Sequence, residues 1–121
     1  MLTALIDYES GNLHSALKAF EKISSENSLG SVTITNDPEI ISNADRLVLP
    51  GDGAFPACKA ALEKSEVFEA LKHAVLAKGR PFLGICVGMQ LMAKKGFEFE
   101  PTNGLNWING QVERIQLDDP S

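Results

Sequence analysis

A chain of 121 residues, 44% hydrophobic and 22% charged, has room for one packed domain and no compositional reason to stay disordered. Its net charge of -5, with no cluster of lysine and arginine, argues against nucleic acid or an anionic membrane as a partner. No apolar run approaches the roughly 18 residues that span a bilayer, and Asp7 comes too soon for a signal peptide.

Taken in order, the chain alternates short β-type runs with helical ones. Residues 3–7 (TALID) read as a strand buried on both faces. A turn cluster follows at 8–12, and then Leu13, Leu17, Phe20 and Ile23 recur on one helical face. The polar run 24–31 is expected to break that helix, and residues 32–35 (VTIT) to form a second strand. Asp37-Pro38 opens a short helix through Ile40 and Ile41, because proline is pre-organised for a first turn. Residues 46–49 (RLVL) give a third strand, cut by Pro50-Gly51-Asp52-Gly53.

Residues 55–78 are helical with a break near Ser65, and Val67, Leu71, Ala74 and Val75 mark the buried stripe up to a C-cap at Gly79. Residues 82–85 (FLGI) form a fourth strand with Pro81 at its edge. A helix over 89–95 is expected to stop at Gly96, residues 97–109 to be irregular, and 111–117 (QVERIQL) to be a last strand. This alternation predicts an α/β fold, a mostly parallel sheet covered by helices on both faces. No repeat or linker divides it, so residues 1–121 read as one domain.

The chemistry is concentrated at Gly84-Ile85-Cys86-Val87-Gly88, directly after a strand and before a helix. That context is a nucleophile elbow with sulfur in place of the serine oxygen. A bend sharp enough to lift the side chain off the sheet strains the nucleophile's backbone and leaves no room for a Cβ two residues to either side. The free N–H groups and dipole of the following helix favour a Cys86 thiolate, and the N–H of Val87 points where an oxyanion would form. A cysteine beside a glycine turn is also how a small core residue looks; the flanking strand and helix favour the catalytic reading. The loop Pro50-Gly51-Asp52-Gly53 leaves the third strand at the same sheet edge, where its successive N–H groups can supply a second oxyanion donor. By itself it is equally an ordinary strand-to-helix turn.

Gly11-Asn12-Leu13, Leu49-Pro50-Gly51-Asp52-Gly53-Ala54-Phe55 and Gly84-Ile85-Cys86-Val87-Gly88-Met89-Gln90 together resemble the class I (triad) glutamine amidotransferases. Within them they are most similar to the glutaminase subunits of imidazole glycerol phosphate synthases, of histidine biosynthesis. Residues 104–112 (GLNWINGQV) are similar to that family's downstream turn. The resemblance implies a flavodoxin-like three-layer fold and glutamine hydrolysis through a Cys86 thioester. It implies Val87, Asp52 and Gly53 as oxyanion contributors, Gly53 and Gln90 beside the bound glutamine, and a (β/α)8-barrel cyclase partner that receives the ammonia. It implies no cofactor and no metal, and no Cys/His/Asp cluster has metal-ligand spacing.

Two departures stand out. Where the family often carries valine in the loop, this chain has Asp52, whose carboxylate is expected to point outward from any developing oxyanion. The family's base, a histidine in a His-x-Glu pair, is absent from these residues. His73 reads as a solvated helix residue, and His14, at the start of the first helix, as solvent- or partner-facing; neither has an orienting group at the required spacing. The chain is thus expected to be the N-terminal part of its domain, catalytically incomplete, with a sheet edge or a buried face left uncovered, and so either prone to self-association or marginally stable. Cys58 reads as a structural thiol, Trp107 as packing, and Asp118-Asp119 as a solvated tail. The two cysteines suggest no disulfide, which with the absent signal peptide fits a cytoplasmic setting. Other cysteine-elbow enzymes of the DJ-1/PfpI type and a flavodoxin-like receiver module are the alternatives. The former lack the GNL and LPGxGAF segments; the latter needs an acid at the end of the third strand.

Overall fold

The computed structural model describes residues 1–9 and 12–115. β1 (Leu2–Ile6), β2 (Ser31–Thr35), β3 (Arg46–Leu49) and β4 (Phe82–Gly84) form a four-stranded sheet in the order β2-β1-β3-β4. Every pair is parallel, with Leu5 opposite Ile34 and Val48, and Leu49 opposite Gly84. The chain moves outward from β1 to β2, then crosses back over β1 to β3. Loops leaving β1 and β3 therefore diverge at their C-terminal ends and open a crevice between them.

Side chains two apart share a face of a strand. Ala4 and Ile6 of β1, with Leu47 and Leu49 of β3, belong to one buried cluster with Ile41, Phe55, Cys58, Leu62, Val67 and Leu71. These come from α2 (Pro38–Asn43), α3 (Phe55–Lys64) and α4 (Val67–Lys72). Burying each large apolar side chain contributes about 1.5–3 kcal/mol, so most of the packing free energy sits on this side. α1 (Leu13–Asn27) packs beside β2 on the other face, completing the three layers of a flavodoxin-like fold. That second layer is thin. Leu13, Leu17 and Phe20 are only half-buried, and Ile23, expected on the covered face, is 52% exposed. Between Phe20, Ile23 and Leu29 on one side and Val48, Phe82 and Leu83 on the other runs an apolar groove of about 260 Å³.

Local chemistry explains most boundaries. Asp37 accepts the N–H of Glu39 at 2.9 Å and Pro38 occupies the first helical position, so α2 starts where expected. Ser65 ends α3 as expected, its hydroxyl donating to the Leu62 carbonyl at 2.7 Å. α4 continues into a π-type turn at His73–Ala77, and Gly79 at φ 65° closes the stretch. α1 runs four residues into the expected break, to Asn27. Buried Ser24 donates its hydroxyl to the Gly30 carbonyl at 2.5 Å, so its polarity is satisfied inside the helix rather than ending it. The left-handed Ser28 stops α1 instead.

The expectations fail after the elbow. In place of a helix over 89–95 there is a single turn, α5 (Val87–Gln90), and then a strand, β5 (Ala93–Gly96). The cause is competition for carbonyls. Those of Leu91, Met92 and Ala93 accept the N–H groups of Leu105, Trp107, Ile108 and Asn106, and so cannot serve a helix. The run 97–109, expected to be irregular, contains β6 (Thr102–Asn103), and the last strand is β7 (Ile108–Val112), three residues earlier than expected. β5 joins β6 antiparallel and β7 parallel in a second, small sheet, β6-β5-β7. Of the expected strand 111–117, Gln116 and Leu117 lie outside the described residues, as do Gly11, Asp118 and Asp119. Trp107 packs edge-to-face on Phe82, centroids 5.2 Å apart, in keeping with a packing role.

Candidate active site

β3 and β4 end side by side, and the pairing is extended past the strands by the Ile85 N–H bonding the Leu49 carbonyl at 3.0 Å. The chain must then turn at once into α5. Cys86 makes that turn at φ 53°, ψ -122°, a conformation that costs about 1–3 kcal/mol in a residue with a side chain. Its carbonyl accepts the N–H groups of Met89 and Gln90, at 3.0 and 3.2 Å, so the bend is fixed by the helix it starts. The thiol is exposed. α5 is only one turn, so it offers the elbow individual N–H groups rather than a long helix's summed dipole. Val87, its first residue, has its N–H outside the intrahelical ladder.

Both flanking glycines are sterically required. A Cβ on Gly84 would stand 2.7 Å from the Met89 Cα, and one on Gly88 only 1.9 Å from the Leu49 carbonyl oxygen. The loop after β3 meets the elbow directly, because a Cβ on Gly51 would lie 2.5 Å from the Gly88 nitrogen. Gly53 is different: it has φ 107° and open space around it, so it is needed for its torsion.

Pro50, Gly51, Asp52 and Gly53 face Cys86 and Val87 across a cavity of about 750 Å³, within the range that holds small ligands. Asn12, Ser15 and Ala16 at the start of α1 close its far side. The cavity opens at the crevice defined by the sheet. Asn12 is there because it caps α1, its side chain accepting the Ser15 N–H at 3.3 Å. Asp52 is exposed and lines the cavity. Gln90, half-buried at the end of α5, does not line the cavity. His14 and His73 are both exposed, and neither lines it either.

Two side chains behind the loop were not singled out as functional from sequence. Tyr8, 2% exposed, donates its hydroxyl to the Pro50 carbonyl at 2.5 Å. Cys58, 3% exposed, donates its thiol to the Asp52 carbonyl at 3.4 Å. The Tyr8 contact spans 42 positions, which no local pattern can announce. Cys58 sits on the first turn of α3, six residues past Asp52, and an apolar helix face gives no sign of it. Among the described residues no group of three or more His, Cys, Asp or Glu could hold a metal ion. Among them no helix is long and apolar enough to cross a membrane.

Residues 4–100 match the family described as glutamine amidotransferase class-I. The chain is 60% identical over 116 residues to the imidazole glycerol phosphate synthase subunit HisH of Ruegeria pomeroyi, covering 95% of this chain and 55% of that protein. It is 54% identical to the subunit of the same name from Cereibacter sphaeroides, covering 99% of this chain and 57% of the other. For the one from Caulobacter vibrioides the identity is 50%, covering 98% and 56%. The chain thus spans a little over half the length of the curated relatives it matches.

Proposed function

We propose, from the premise that this chain belongs to the class-I glutamine amidotransferase family, that it carries the nucleophile half of a glutaminase of histidine biosynthesis. The observation that carries the reading is the strained, exposed Cys86 facing the Gly51–Asp52 peptide across one cavity. The Cys86 thiolate attacks the side-chain amide carbon of glutamine, forming a C–S bond and pushing the carbonyl electrons onto oxygen. N–H groups of Val87 and of the loop at Asp52 and Gly53 hold that oxyanion; one such donor is worth about 10²–10³ in rate. As the intermediate collapses, the amide nitrogen takes up a proton and the C–N bond breaks, releasing ammonia and leaving a thioester; water then adds to the thioester carbon, the C–S bond breaks, and glutamate leaves with Cys86 regenerated. Gly53, which lines the cavity, is the proposed contact for bound glutamine; Gln90, expected beside it from the family resemblance, does not line the cavity and would have to reach glutamine from its margin.

The curated relatives are named as synthase subunits, and on that basis the ammonia passes to a (β/α)8-barrel cyclase partner. The base that activates water must lie elsewhere, because neither His14 nor His73 lines the cavity and no His-x-Glu pair occurs in these residues. No cofactor enters this chemistry, and the proposed setting is the cytoplasm, where a thiol such as that of Cys86 stays reduced. The reading is tested by ammonia release from glutamine by a subunit carrying residues 1–121, alone and with the cyclase. We expect release that falls at least about 10³-fold in Cys86→Ser. No release under either condition would sink the reading.

A further inference from the structure

Breaking the C–N bond of glutamine requires that the departing nitrogen take up a proton, yet neither His14 nor His73 lines the cavity. A thioester makes no such demand. Its sulfur leaves with its electron pair as a thiolate, because a thiol is a far stronger acid than an amine.

The surroundings of Cys86 indicate which thioesters fit. Beyond Asn12, Ser15 and the loop after β3, the cavity wall is made by Ala16, Ala19, Phe20, Ile85 and Val87. Phe20 also lines the apolar groove beside α1. Ala16, Ala19, Phe20 and Ile23 stand three and four apart along α1 and so share one face. Ile85 and Leu83 stand two apart along β4 and its extension, and Leu83 lies opposite Val48 of β3. The cavity at Cys86 and the groove between Ile23, Leu83 and Val48 are therefore two stretches of one apolar trough. From Ile85 back to Phe82 it follows about 10 Å of strand. Its far end is open, with Ile23 52% and Leu83 49% exposed.

We propose that Cys86 also accepts acyl groups from medium-chain acyl thioesters, the chain lying in this trough and the acyl group remaining on sulfur. The thiolate attacks the thioester carbonyl carbon, a new C–S bond forms, and the carbonyl pair moves onto oxygen. That pair returns as the bond to the departing sulfur breaks, and a free thiolate leaves. Hydrolysis of acyl-Cys86 needs a proton taken from water, and no described residue of the lining carries an imidazole to take it. The inference rests on Cys86 being the exposed nucleophile of the proposed glutaminase; glutamine itself plays no part in it.

The test incubates the 121-residue chain with the acetyl and octanoyl thioesters of N-acetylcysteamine, both uncharged, and follows the Cys86 peptide by mass spectrometry. Each rate is divided by that of the same thioester with glutathione, which removes intrinsic reactivity. A low chain concentration keeps copies apart, so that no neighbour covers Leu83. Burying one CH₂ changes such a ratio by up to about fourfold, so six more of them in a half-open trough should favour octanoyl at least about tenfold. Ile23→Lys and Leu83→Lys each place a charge at the far end. They should bring the preference within about threefold while acetyl transfer changes less than about twofold. The octanoyl adduct should persist once the reagent is removed, and the Cys86→Ala peptide should take up none.

A preference below about threefold in the unsubstituted chain overturns the proposal, as does one that survives both lysines. So does an adduct lost as fast as it forms. Should one lysine variant unfold, the other decides. Iodoacetamide separates this inference from the reading beneath it. A Cys86 that alkylates but shows no chain-length preference sinks acyl transfer and leaves glutaminase chemistry standing. One that is inert to both kinds of reagent removes the nucleophile on which both depend.

Discussion

Cys86 is held at a backbone conformation that only glycine adopts freely, and its side chain, being exposed, recovers little of that cost through burial. Replacing it separates the roles of sulfur and strain. Cys86→Ala keeps the strain and Cys86→Gly removes it. Strain relief of about 1–3 kcal/mol exceeds the roughly 0.5–1 kcal/mol that glycine loses in chain entropy. Urea denaturation should therefore find Cys86→Gly more stable than Cys86→Ala by about 1 kcal/mol; the reverse order would mean the bend is unstrained. This much was legible beforehand. A G-x-C-x-G between a strand and a helix states both the strain and the need for bare flanking positions, because the constraint is local. Tyr8 and Cys58 were not legible, since each acts on a carbonyl brought near by the fold rather than by sequence spacing.

Among the elements, the four parallel strands and α1 to α4 could be read within a few residues, because periodicity and caps are properties of the segment alone. The segment after α5 could not. Met89, Leu91 and Met92 suit a longer helix, but α5 ends at Gln90 and β5 begins at Ala93, because residues 105–108 take the carbonyls of Leu91, Met92 and Ala93. The small sheet thus formed also fastens α3. Ala54 provides no side-chain cap for that helix, and Glu98 from the β5–β6 connection accepts the Phe55 N–H at 3.0 Å in its place. Lys59, 8% exposed, reaches the Asn103 carbonyl at 2.9 Å. Glu98→Ala is expected to cost about 1 kcal/mol, as for loss of an ordinary helix cap, read as a lower urea midpoint at unchanged slope. A midpoint equal to that of the unsubstituted chain would show that water serves α3 equally well.

At the scale of the molecule, the two faces of the main sheet are unequally covered. The α2–α4 side is filled by large buried side chains; the α1 side keeps an open apolar groove, and β4 is an edge strand with Leu83 49% exposed. An exposed edge beside apolar surface pairs readily with another copy. Sedimentation velocity on the isolated 121-residue chain should show reversible self-association at tens of micromolar and above, reduced by Leu83→Lys, a charge of the kind that natural edges use. A strictly monomeric chain across that range would remove the edge as its cause. Composition could not have shown this asymmetry. Leu13, Leu17, Phe20 and Ile23 mark an apolar stripe in the sequence, but nothing in that stripe says how deeply the rest of the chain buries it.

The contact between loop and elbow carries an implication for how this site can vary. At positions 51 and 88 the obstacle to a larger residue is main chain, the Gly88 nitrogen for one and the Leu49 oxygen for the other. No second-site change of a side chain can make room, so a deep mutational scan should tolerate nothing else at either position, and pairwise libraries should find no rescue. Position 53 is limited by its φ of 107° alone and should admit asparagine before any branched residue. Gly110, with open space and no such torsion, should accept most of the alphabet. The same amino acid would then leave three different signatures in one selection, each dictated by what surrounds it.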